Sequence, residues 1–462
     1  MARRTGDRGG EPARKPVAST QALVGFREEL YGCLRGWGDA LFELCDAALW
    51  VPAAVHSVPA LSLEPVFRRS HGSLYKALAR GSIDTEALRR ALVTSRPADW
   101  PLIFAVDAST WDRCDAECSP ERGFYYSASR QSAGQPIVAG WSYQWIAQLD
   151  WAHDSWTAPL DALRIPPTVD ATSATIEQIR RLVDLLPGEG AVPLFVFDAG
   201  YDPIALSVGL GAIRASVLVR IRSDRVFYAA PDPPSPGKVG RPRRHGRRFA
   251  LSDPQTPEPD ACLTTSDPRY GTVRVCAWSG LHPKLSARGR WAGQGGPPIV
   301  AGWVIRVEVE HLPRPRGALK VLWCWWSGPG TPDLDVCWRA YLRRFDIEHT
   351  YRFAKQTLGW TAPSLRTPEQ ADRWTWLIVA AYTQLRLARG AVDDLRLPWE
   401  RPRGPTQLTP ARVRRGFRRL HDSIGSPASA PKSQTPGPGR PKGTHRGPRT
   451  RYPAIKKTAK AA

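Results

Sequence analysis

The chain has 462 residues, 42% of them hydrophobic, and carries 65 Lys and Arg against 43 Asp and Glu, a net charge of +22 and a pI near 10.1. That is enough apolar material for a sizeable core in two or three domains, and the charge calls for a polyanionic partner, of which DNA is the obvious one. The 19 Trp set it apart from the structural proteins of ribosomes, which share such charge; the basic first residues have no apolar stretch behind them, the longest apolar run (376–382) is too short to span a bilayer, and eight scattered Cys lack zinc-type spacing. Reduced thiols in a cytoplasmic protein are therefore the expectation.

Residues 1–20, with Arg3, Arg4, Arg8, Arg14 and Lys15, read as a disordered basic arm. Residues 21–96 are dominated by helical patterns, at 21–49 and 85–93, with Arg68-Arg69-Ser70-His71 between them. This is either a DNA-end-binding domain or a helical layer packed on the core, because no clean helix-turn-helix spacing stands out. Residues 97–221 then alternate strands (near 101–107, 136–149, 191–198 and 215–221) with helices (near 173–186 and 202–210), an α/β pattern.

Two acids follow apolar runs in that region. Leu102-Ile103-Phe104-Ala105-Val106 leads into Asp107, and Leu194-Phe195-Val196-Phe197 leads into Asp198, followed by Ala199-Gly200-Tyr201. Taken singly, each is a strand-terminating turn residue or a helix cap. A carboxylate ending a buried strand can also face a cleft from a fixed backbone, as a metal ligand must. Residues 222–327, rich in Pro and Gly with short strand-like runs at 272–275 and 299–309, read as a β-rich insertion ending in a Trp-rich strand with Trp323, Trp325 and Trp326.

Within 328–395, Thr331 as N-cap, Pro332 in the first turn, Asp333 and Asp335 at the positive end and Gly359 as a stop define one long helix. It carries Tyr341, Arg344, Glu348 and Lys355 in the pattern Tyr-x2-Arg-x3-Glu-x6-Lys. On one continuous helix these four fall within an arc of about 60°, while Asp346 points away. A solvated charged face is the alternative, but this spacing should arise by chance only about 0.001 times in such a chain. Residues 396–462 read as a basic, Pro-rich, disordered tail; from 401 on they hold 16 Lys or Arg against Asp422 alone, which suits a nonspecific DNA clamp. Two stretches, Gly240-Arg241-Pro242-Arg243 and Gly439-Arg440-Pro441-Lys442, contain a Gly-Arg-Pro core similar to minor-groove AT-hooks, which makes Arg241, Arg243 and Arg440 candidate DNA contacts.

Acids in the order strand, strand, helix, with that signature around the third, resemble the DDE-class insertion-sequence transposases of the cut-and-paste branch. The resemblance implies an RNase H-like core of α/β class (97–221 and 328–395) interrupted by the insertion (222–327), with Asp107, Asp198 and Glu348 as catalytic acids. It implies that these acids hold two Mg²⁺ or Mn²⁺ ions, which supply a strong oxygen nucleophile and stabilise the leaving oxygen. Tyr341, Arg344 and Lys355 would contact DNA, the two cations gripping phosphate. Trp323 is the residue that would stack on a flipped base, with core packing as the alternative. The implied activity is binding of terminal inverted repeats, excision through a hairpin intermediate and joining of 3′ ends to target DNA, by a homodimer in the bacterial nucleoid. A metal-dependent nuclease without strand transfer and a non-catalytic DNA-binding derivative remain as alternatives.

Overall fold

The computed structural model describes residues 17–127, 134, 136–152, 154–233, 243–253, 255–292, 297–312, 321–432, 441–443, 447–448 and 451–456. The expectations at Arg241 and Arg440, and for residues 1–16 of the basic arm, lie outside them. The chain divides into two compact units, residues 1–95 with 352–450 and residues 96–351 with 451–462.

The first unit begins with α1 (Val17–Cys33), β1 (Leu34–Gly36), α2 (Gly38–Trp50), α3 (Val58–Leu61), α4 (His71–Arg80), β2 (Ser82–Ile83) and α5 (Thr85–Thr94). Every residue of α2 from Ala40 to Trp50 is buried. The two acids of that stretch, Glu43 and Asp46, therefore need partners inside the protein. Glu43 is paired with Arg68 and Arg69, while Asp46 takes both guanidinium nitrogens of Arg27 (2.6 and 2.8 Å) and His421 Nε2 (3.0 Å).

The second unit carries β3 (Ile103–Asp112), β4 (Gly123–Tyr126), β5 (Ile137–Leu149), β6 (Thr157–Ile165), α6 (Ala171–Val183), β7 (Leu194–Phe197), α7 (Pro203–Leu210) and β8 (Ser216–Ile221). It continues through β9 (Val226–Tyr228), β10 (Arg248–Ala250), β11 (Ala261–Asp267), β12 (Gly271–Pro283), β13 (Gly302–Val309), β14 (Val321–Ser327) and α8 (Leu334–Arg343) to the start of α9 (Asp346–Gln356). One mixed 12-stranded sheet runs β10-β9-β12-β13-β14-β8-β7-β3-β5-β4, with β11 on β12 and β6 on β5. The pairs β3–β7 and β7–β8 are parallel, and their apolar runs are buried on both faces, as parallel strands require.

The β-rich segment 222–327 thus extends the core sheet through β14 beside β8. Its core is aromatic. Trp325 is fully buried, stacks on Phe227 with centroids 5.6 Å apart and donates its indole N–H to Ser207 Oγ at 2.9 Å. Gly302 makes room for that ring, since a Cβ there would come within 2.4 Å of it. The register of β11 against β12 sets Cys262 opposite Cys276 with Cα atoms 4.3 Å apart, and the two are joined as a disulfide, which departs from the expected set of reduced thiols.

The first unit is completed by α10 (Pro368–Ala388) and α11 (Pro410–Ile424), which pack with α1 and α2. Two expectations are corrected here. Residues 352–395 fold with the N-terminal helices, not with the α/β core, and the tail expected to be disordered contains a helix with Val413, Phe417 and Leu420 buried. Their i, i+4, i+7 spacing is an apolar stripe that a count of charges overlooks.

Candidate active site

The register of β7 on β3 places the first two acids. Ala105 is opposite Val196, so two residues further along each chain Asp107 comes level with Asp198 at the C-terminal edge of the parallel pair. Asp198 follows β7 directly, and its Oδ1 accepts the Gly200 N–H at 2.8 Å, so the turn-forming role and an outward-facing carboxylate coexist. Asp107, expected to end its strand, lies within β3, which runs on to Asp112 and pairs Asp107 with Trp145 on β5.

The third acid arrives on α9, and here the expectation of one continuous helix is corrected. Asp333, not Thr331, caps α8, accepting the Asp335 and Val336 N–H groups. Between α8 and α9 the chain tightens into i→i+3 bonds, Ile347 N–H to Arg344 at 3.2 Å and Glu348 N–H to Phe345 at 3.1 Å. The signature residues therefore straddle a break at Arg344 and Phe345 and share no single helical face.

Arg344 sits at that break and reaches both acids. Its Nη2 donates to Glu348 Oε1 at 3.2 Å and its Nη1 lies 4.0 Å from Asp107 Oδ2. Arg344 is 5% exposed, and its guanidinium packs 4.8 Å from the Phe345 ring centroid and 5.9 Å from that of Tyr341. Burial works to lower its pKa, but the charges of Asp107, Tyr341, Glu348 and Asp198 outweigh this and hold it raised. Burial likewise pushes the Asp107 carboxyl up, to about 7; Arg344 pulls it down, while Asp198 and Glu348 push it further up. All three acids thus act on one locality.

Two tyrosines and a glutamine that sequence reasoning gave no role complete the surroundings. Tyr351 donates its hydroxyl to the Asp107 carbonyl at 2.6 Å, and Tyr201 donates to Gln144 Oε1 at 3.0 Å. Gln144 is held in turn by Gln178 and Thr175. The signals were present: Tyr351 stands three residues after Glu348, Tyr201 closes the Asp-Ala-Gly-Tyr run, and Gln144 is a polar residue inside a buried strand. A cavity of about 420 Å³ opens beside the Asp198 loop, lined among others by Tyr201, Asp202, Asp224, Arg225, Phe227 and Lys284.

Other residues singled out from sequence lie elsewhere. Tyr341 is 3% exposed, so its ring packs against Arg344 and is closed to DNA in this structure. Trp323, 5% exposed, is enclosed by Phe249, Trp278 and the Arg306 guanidinium, which leaves no free face for a base. Lys355, seven residues beyond Glu348 on α9, holds its ammonium 5.6 Å from the Trp360 ring centroid. Arg243 is exposed in the insertion.

Three carboxylates are the hard oxygen donors that Mg²⁺ or Mn²⁺ takes. Among the described residues, however, no three His, Cys, Asp or Glu stand close enough together to hold a metal ion, and the Arg344 cation spans the gap between Asp107 and Glu348. The donor chemistry fits such an ion; the side-chain arrangement is one in which Arg344 supplies the positive charge.

A model of the DDE superfamily endonuclease family matches residues 29–284, a stretch that includes Asp107 and Asp198 and ends before Glu348. Among solved structures, the chain is similar to the piggyBac transposase in a cryo-EM synaptic complex with hairpin DNA, with 8% identity and a TM-score of 0.43 over 89% of this chain and 80% of that one. No curated protein matches it. With more than half of its residues inside the family match, the chain belongs to the DDE superfamily endonucleases.

Proposed function

We propose that the protein is a DNA transposase of the cut-and-paste kind, with Asp107, Asp198 and Glu348 as the acids of one phosphodiester-cleaving site. The observation that carries this reading is that Arg344 lies between Asp107 on β3 and Glu348 on α9, while Asp198, after β7, comes level with Asp107. We read β3, β5 and β6 as an antiparallel meander to which β7 and β8 add in parallel, an RNase H-like core whose strand edge presents Asp107 and Asp198.

With Arg344 withdrawn from between Asp107 and Glu348, the three carboxylates would draw together around divalent ions, Mg²⁺ or Mn²⁺, that activate an oxygen nucleophile and stabilise the leaving oxygen when bound. The chain's own residues set the stage for them. Asp107 keeps its proton up to about pH 7 while no cation other than Arg344 is near, and gives it up when more positive charge arrives. Arg344 offers a planar fork whose two arms now face two acids, and an incoming phosphate diester is the same kind of acceptor. Tyr351 braces the β3 backbone at Asp107, and the Gln144 network braces Tyr201. Terminal inverted repeats, a hairpin intermediate and a homodimer that holds two ends belong to the same proposal.

The family match by itself equally favours a nuclease without strand transfer. The experiment is cleavage of a DNA end in Mg²⁺ by the full chain and by Asp198→Asn and Glu348→Gln, with DNA binding measured in parallel. Loss of cleavage with binding retained is expected, because phosphate-gripping cations remain. Full cleavage by either variant would remove that residue from the site. Joining of a pre-cut 3′ end to a second duplex separates transposase from nuclease.

A further inference from the structure

Of the 19 Trp, only Trp37 and Trp399 are exposed, and Trp399, at 78%, is the more exposed. It does not stand on a loose loop. Glu400, the next residue, accepts the Leu397 N–H at 2.8 Å and Arg415 Nη2 at 2.6 Å, while Arg412 Nη1 binds Asp394 Oδ2 at 3.0 Å and the Arg401 carbonyl at 2.9 Å. The Arg403 N–H closes the arch onto Asp394 Oδ2 at 3.1 Å. Pro398 and Pro402 remove further backbone freedom. The arch is thus tied at both ends to α11, and the indole is held outward at its crest, with no burial to offset its exposure.

The charge around the crest identifies the partner. Asp394 and Glu400 are engaged by Arg412 and Arg415, whereas Arg396, Arg401 and Arg403 on the arch itself are exposed. A pre-ordered indole with Arg401 and Arg403 exposed two and four residues along the same arch matches a polyanion with flat aromatic faces, which is nucleic acid. An indole reaches the face of a base only where the stack is open. We propose that Trp399 is a stacking residue for an unpaired base of DNA, with Arg401 and Arg403 on the flanking phosphates. The inference rests on DNA being the substrate, as proposed above, and adds a site on the first unit distinct from the acids.

The test is fluorescence anisotropy with labelled oligonucleotides of three kinds: a fully paired duplex, the same duplex with one unpaired base, and a single strand. The full-length protein, Trp399→Ala and Trp399→Phe are compared, with a thermal melt of each. Stacking predicts that Trp399→Ala binds the single strand and the unpaired-base duplex about 5- to 150-fold more weakly, changes the paired duplex less than about twofold, and melts with the parent protein. Trp399→Phe should recover most of the loss. Unchanged binding of the unpaired-base DNA by Trp399→Ala overturns the inference while leaving the DNA reading intact. Loss of self-association in that variant with DNA binding unaltered also overturns it, in favour of a second copy of the chain as the partner. Failure of the parent protein to bind DNA of any kind instead sinks the proposed function.

Discussion

Removing the charge of Asp107 should stabilise the protein in the absence of divalent ions, and should do so only above acidic pH. Burial pushes its carboxyl up to about 7 in the folded chain from 3.8 for an unperturbed Asp, a displacement equivalent to about 4 kcal/mol. The sign follows from proton counting. Between pH 3.8 and about 7 the folded chain keeps a proton that the unfolded chain has released, so stability falls as pH rises through that window and stays low above it. Asp107→Asn is neutral throughout and close in shape to the protonated acid. The variant and the parent should therefore be alike near pH 4, with a gap in the variant's favour that widens to about 4 kcal/mol by pH 8. The assay is urea unfolding in EDTA across that range, followed through amide exchange of β3 so that the transition reported is that of the strand bearing Asp107. A gap that does not change with pH, or a variant less stable at pH 8, would refute the claim that an ionised Asp107 is costly in this setting.

Three further outcomes are expected. Arg27→Ala leaves Asp46 buried without its bidentate partner and should cost about 3–5 kcal/mol, read as a lowered melting temperature; an unchanged melt would show the network with His421 and Gln384 to be dispensable. Trp323→Ala should cost about 3–5 kcal/mol, because the ring fills the core between Phe249 and Trp278, and a variant of full stability with a selective defect on DNA would restore the stacking role. Ending the chain at residue 432 removes eight Lys or Arg and no acid, so it should weaken binding to every DNA and flatten the salt dependence by up to about 7 in slope, whereas ending it at 409 also strips α11 from the first unit and should lower its melting temperature.

Part of this was legible in the chain itself. The runs before Asp107 and Asp198 are continuously apolar because β3 and β7 are covered on both faces, and such runs announce themselves. That the two acids come level depends on a parallel register between strands about 90 residues apart, which no local pattern encodes. The break at Arg344 and Phe345 has neither Pro nor Gly to mark it; it arises from a shift to i→i+3 bonding that helical periodicity continues straight through. The helix at 410–424 was hidden by its own arginines, two of which, Arg412 and Arg414, are buried on carboxylate and carbonyl partners. The segment at 222–327 read as β-rich from its composition, but its attachment to the core sheet through β14 and β8 is a pairing across about 100 residues and belongs to tertiary structure alone.

The central claim, that Asp107, Asp198 and Glu348 form one divalent-cation site, is tested most directly by locating Mn²⁺ through its anomalous scattering in crystals of the protein with a DNA end. The account predicts a Mn²⁺ ion about 2 Å from carboxylate oxygens of at least two of the three acids, with the Arg344 guanidinium withdrawn from Glu348. Mn²⁺ bound only elsewhere, with Arg344 still spanning Asp107 and Glu348, would contradict it.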